Sequence, residues 1–166
     1  MTTDSQVSPT VLPLEVPWTV STSVSHLELS CAENRDCTVR CDAFFGHHSS
    51  VSHFQRVEII FERAICCRML ASRSDDEMPG GDEYNWSKVY VPPKNPSEFR
   101  ARLESQSQRW AMSGHCPDPH FYLIDQSAWA REFRHQCQHF LLVGTDSYVE
   151  VLASDFRWLA LNPIQV

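Results

Sequence analysis

The chain has 166 residues, a formal charge of −7, 42% hydrophobic and 21% charged residues. That is the size of one ordinary domain, long enough to hide roughly 70% of its unfolded surface. No apolar run approaches the ~20 residues of a membrane span, and Lys and Arg are too sparse for non-specific binding to nucleic acid or membrane. A basic protein partner fits the charge, and the same charge keeps the chain soluble whatever it binds. No basic stretch followed by an apolar core opens the sequence, so a cytoplasmic protein is expected. Seven cysteines, an odd number, then read as reduced thiols rather than a disulfide framework.

Residues 1–17 are rich in Ser, Thr and Pro, with prolines at 9, 13 and 17. They read as a flexible or extended arm ahead of one domain over 18–166, with Val11, Leu12 and Leu14 available to pin it. From Trp18, TVSTSVSHLELSC alternates like a half-exposed strand, and Thr38–Phe45 is a second. Gly46–Ser50 makes a turn. The run Phe54–Ser72 carries Val57, Ile59, Phe61, Ile65, Cys67 and Met69 at period two, broken by Arg63. A helical face through Val57, Ile60, Phe61, Ala64 and Ile65 also exists; the Ile, Val, Phe and Cys content favours a strand. Cys66 and Cys67 read as small buried hydrophobes.

SRSDDEMPGGDEYNW has Pro-Gly-Gly, five acidic residues and no period, the pattern of an acidic loop. Trp86–Val91 reads as a short strand ended by Pro92-Pro93. Asn95-Pro96-Ser97-Glu98 predicts a helix start, with Asn95 as cap, Pro96 in the first turn and Glu98 at the capping-box position. The helix should run to about Trp110. HFYLI is a strand, SAWAREF a short helix with Trp129 and Phe133 on one face, and HFLLVG-TDS-YVEVLAS a hairpin. Phe156–Leu161 adds a last strand. The expected fold is therefore α+β: a curved, mainly antiparallel sheet with one longer and one short helix.

Residues 135–139, HQCQH, concentrate possible ligands. His135 and His139 share a face on either a strand or a helix. With Cys137 they suit zinc, and His115, Cys116 and His120, or Asp118, offer further ligands. Against this, eight histidines give close pairs by chance, and no HExxH or CxxC signature occurs. A nucleophilic Cys116 beside His115, or Cys137 between two histidines, would need a lowered thiol pKa. No glycine-rich phosphate loop and no Gly-x-Ser-x-Gly elbow is present.

Two functions remain open on these residues. The first is a small acidic binding protein without catalytic chemistry, of the antitoxin or immunity-inhibitor kind, meeting a basic protein through Asp75, Asp76, Glu77, Asp82, Glu83, Tyr84 and Trp86 and needing no cofactor. Exposed aromatics beside carboxylates often anchor an interface. The alternative is a zinc-dependent enzyme using the His135, Cys137 and His139 cluster with His115, Cys116 and His120.

Overall fold

The computed structural model describes residues 8–23, 25–32, 36–46, 54–72, 78–89, 95–133 and 137–163. Ten strands and two helices run in the order β1 (Thr10–Pro13), β2 (Thr19–Val20), β3 (Glu28–Ser30), β4 (Cys37–Phe44), β5 (Phe54–Glu62), β6 (Cys66–Ala71), α1 (Pro96–Ser113), β7 (Phe121–Asp125), α2 (Ala128–Glu132), β8 (Gln138–Val143), β9 (Ser147–Ala153) and β10 (Asp155–Pro163). The chain is α+β, mostly sheet. One expectation needs correcting: there are two sheets, not one. The first has the order β1-β7-β8-β9-β6, the second β10-β5-β4-β2 with β3 also beside β4. Every named strand pairing is antiparallel.

Period-two alternation builds the core between the sheets. From the second sheet Val39, Cys41, Ala43, Val57, Ile59 and Phe61 point inward; from the first, Phe140, Leu142, Val149, Val151 and Ala153 meet them. Trp18 is fully buried among them, stacked on Phe121 at 5.9 Å and edge-on to Trp158 at 6.0 Å.

The run Phe54–Ser72 is strand, as its composition favours, but it divides between the two sheets. Arg63, the residue that breaks the alternation, has φ 49° and makes the corner. The chain crosses between sheets again at Ser154. The two crossings are tied: Ser154 N–H donates to the Glu62 carbonyl at 3.0 Å, and Arg63 Nε donates to Ser154 Oγ at 3.2 Å. Beyond the corner Ile65 and Met69 are exposed, although they continue the inward pattern of β5.

Three smaller differences have local causes. The expected strand from Trp18 is interrupted between β2 and β3, because Asp42 of β4 takes backbone bonds from both sides: Ser21 N–H donates to its carbonyl, and its own N–H donates to the Ser25 carbonyl. Trp86–Val89 is a turn closed by Val89 N–H on the Trp86 carbonyl, not a strand. Residues 90–94 lie outside the described residues. Cys31 and Cys37 are joined by a disulfide, so those two are not the reduced thiols expected.

Helix α1 starts as anticipated. Asn95 Oδ1 accepts from Ser97 N–H, Pro96 is in the first turn, and Gly114 closes the end at φ 74°. The helix buries no residue and is docked through Trp110, edge-on to Phe44 at 6.0 Å. β1 edges the first sheet with Val11 buried, and Asn85 bonds along it: Val11 N–H donates to the Asn85 carbonyl and Asn85 N–H to the Pro9 carbonyl.

Candidate functional site

The outer face of the first sheet carries the polar groups. Alternation that sends Phe140 and Leu142 inward sends His139 and Leu141 outward; on β9 it sends Glu150 and Leu152 outward. An outward face is normally wet. This one is roofed by α2 and by Tyr84–Val89, whose Trp86 lies edge-on to Tyr122 at 5.5 Å. Val11, Val89, Tyr122, Ile124 and Leu141 form a second small core there. His139 and Glu150 are consequently 1% and 2% exposed.

A buried carboxylate and imidazole must be satisfied by partners. Directly across the β6–β9 ladder from Glu150 is Arg68, whose Nε donates to Glu150 Oε2 at 2.5 Å. Tyr84 OH donates to Oε1 at 3.1 Å. His139 Nε2 lies 3.2 Å from the same Oε1, within ion-pair reach but off the line of a well-formed hydrogen bond. Its Nδ1 is 2.8 Å from Ser127 Oγ. Ser127 also caps α2 by accepting from Ala130 N–H at 3.2 Å. Trp129 of α2 stands edge-on to His139 at 5.1 Å and carries the Arg68 guanidinium on its face at 4.6 Å.

Burial pushes the Glu150 carboxyl up, but the nearby His139 ring and the bond from Arg68 outweigh it and hold the group at about 2. Burial, with the Glu150 charge beside it, raises the Tyr84 phenol. The Arg68 guanidinium is raised chiefly by its bond to Glu150.

Ser127, His139 and Glu150 have the connectivity of an acyl-transfer triad, and a cleft of about 480 Å³ opens on Ser127 and His139. The charges argue for a clamp instead. The carboxylate of a triad is kept to stabilise imidazolium, whereas Arg68 already neutralises Glu150 and Tyr84 shares its other oxygen. The Ser127 hydroxyl is engaged as a helix cap. Ser127→Ala should therefore act on stability, lowering it by about 1 kcal/mol through loss of the cap and the His139 bond, read by urea denaturation.

The clamp fixes β6, which ends the first sheet and, among the described residues, pairs only with β9. Ile65, Met69 and Leu70 are exposed along it. At its start lies a cleft of about 930 Å³ lined by Asp36, Arg63, Cys31, Cys37, Cys66 and Cys67, among others. Cys67 Sγ is 2.9 Å from Cys31 Sγ.

The residues anticipated for a zinc site are dispersed. His135 lies outside the described residues. His139 is held in the clamp, and the Cys137 thiol donates to the Ala130 carbonyl at 3.7 Å. His115 is exposed after α1; Cys116 is buried and donates to the Asp118 carbonyl; His120 Nδ1 is 3.0 Å from Thr19 Oγ1. Among the described residues, only Cys31, Cys37 and Cys67 form a group with metal-ligand spacing. Burial pushes the Cys116 and Cys41 thiols up to about 12, opposite to what a nucleophile needs.

For the anticipated binding loop, Asp75, Asp76 and Glu77 lie outside the described residues, as does the Asp82 side chain. Glu83 is exposed, while Tyr84 and Trp86 are half-buried in the roof over the first sheet. Arg68, Ser127 and Glu150 went unmarked in the sequence; Glu150 is the polar break in YVEVLAS, a signal that gains meaning only once its strand is known to be covered on both faces. No family model matches the chain, and no curated protein or solved structure is significantly similar to it.

Proposed function

We propose that the chain is a small acidic binding protein, without catalytic chemistry of its own, that takes an extended segment of a basic partner protein onto the free edge of β6. The observation that carries this is the edge itself. β6 is six residues long, has β9 on one side only among the described residues, and presents Met69 and Leu70, with Ile65 just before it, at 37–39% exposure. A strand edge with exposed apolar side chains is a template for strand addition, and proteins normally blunt such edges. The opposite edge, β1, is covered by Asn85. The Arg68–Glu150 bond holds β6 in place, which lowers the ordering cost of binding.

Charge supports a basic occupant. The net charge is −7, and Asp75, Asp76 and Glu77 follow closely in sequence after Ala71, where β6 ends. An antitoxin or immunity-type inhibitor is the kind of molecule this combination suits.

The test is selection from a displayed library of random extended peptides on the immobilised full chain, followed by titration of the selected peptide into isotope-labelled protein. Lys- and Arg-containing peptides should emerge, with amide shifts concentrated in residues 66–71. The double substitution Met69→Lys, Leu70→Lys should weaken binding at least about tenfold, or ~1.4 kcal/mol, with little change in melting temperature. Shifts that map elsewhere, or affinity untouched by the double substitution, would contradict the proposal.

A further inference from the structure

We propose that the reduced protein binds one zinc ion through the thiolates of Cys31, Cys37 and Cys67, and that the Cys31–Cys37 disulfide is the closed, metal-free state of the same site. The three residues come from different sheets. Cys37 is the first residue of β4 and Cys31 follows β3, in the second sheet; Cys67 is on β6, in the first. They meet because Cys37 is paired with Phe61 near the end of β5, and the corner at Arg63 then folds β6 back past the same point.

All three sulfur atoms lie within 4.8 Å of one another. Tetrahedral zinc with bonds of about 2.3 Å places its sulfur ligands roughly 3.8 Å apart, so the group fits with small adjustments. Packing alone explains Cys37, which is buried, but not Cys31, which is exposed and faces the cleft with Cys67. The three thiolates leave the fourth position of a tetrahedral ion open to water from the cleft. Thiolate sulfur selects zinc and other soft ions over magnesium or calcium.

The chemistry balances in two steps. A dithiol or phosphine reductant supplies two electrons, with two protons from water, and the Cys31–Cys37 S–S bond becomes two thiols. Zinc then replaces the three thiol protons: three S–H bonds break, three Zn–S bonds form, and three protons pass to the buffer. Because zinc displaces thiol protons, its uptake should strengthen with rising pH. Bound metal would staple the two sheets at the end where β6 begins.

The experiment uses the full chain, reduced with a phosphine under nitrogen and titrated with Co(II). One equivalent should give the visible absorption of tetrahedral cobalt together with sulfur-to-cobalt charge transfer, and added zinc should bleach both. Cys31→Ser and Cys67→Ser, on the exposed and half-buried positions, should each weaken binding more than tenfold while keeping the native circular dichroism. Cys66→Ser should bind like the parent, and protein oxidised with diamide should bind none. An absent tetrahedral spectrum in the reduced parent, a spectrum that persists in Cys67→Ser, or equal uptake by oxidised protein would each overturn the site.

Discussion

Replacing Glu150 with alanine is expected to lower the folding free energy by about 3 kcal/mol at neutral pH. Removing one member of a buried ion pair costs about 3–5 kcal/mol when the other charge is left stranded. Arg68 is half exposed and can rehydrate, which places the expectation at the low end. The fully enclosed His139 would also lose its polar neighbour at Nε2. Arg68→Ala should show part of the same loss together with a more mobile β6. The pH dependence separates the charge from the shape. The folded Glu150 carboxyl sits at about 2 against an ordinary 4.5. A group held low in the folded state adds stability above its unfolded value and loses it as pH falls towards the folded one. Wild-type stability should therefore fall between about pH 5 and pH 2, and Glu150→Gln should be less stable at pH 7 but flatter over that window. Urea denaturation at a series of pH values checks both; parallel curves for the two proteins would show that Glu150 is not the group responsible.

Trp18→Ala should cost about 3–5 kcal/mol, the range for deleting a large buried aromatic side chain. Trp18 is fully buried and touches rings from both halves of the chain, Phe121 and Trp158. Its indole N–H has no hydrogen-bond partner among the described residues. Trp18→Phe therefore gives up volume but no hydrogen bond, and should cost only about 1–2 kcal/mol. Thermal denaturation of the two variants measures the difference. A Phe variant as unstable as the Ala one would mean that the indole N–H is bonded after all.

The local features of the fold were legible in the sequence. Asn95-Pro96 marks the start of α1, Ser127 precedes α2, and the β8–β9 hairpin follows from two apolar runs around Thr145-Asp146-Ser147. The division into two sheets was not, because period two resumes after Arg63 and runs on to Met69. Only Arg63 interrupts it, and a single charged residue on an apolar face is as compatible with a local exception as with a corner. Whether an alternating strand is wet or covered on its outer face depends on distant segments, so the burial of Glu150 under Tyr84 was beyond local pattern. HQCQH drew attention to His139 for its neighbours in sequence. In the fold its partners are Ser127 and Glu150, brought close by the β7–β8–β9 meander. The cysteine group is the converse case: Cys67 reaches Cys31 only through strand pairing between residues far apart in the chain.

Whether the edge of β6 is free can be measured without knowing any partner, by amide hydrogen exchange of residues 66–71 in the protein alone at low concentration. If the edge is open, protection alternates: amides bonded to β9 exchange slowly, and those pointing away exchange at nearly the rate of exposed backbone. Slow exchange at every one of these amides would mean that another part of the chain already covers β6, and the proposed docking edge would not exist.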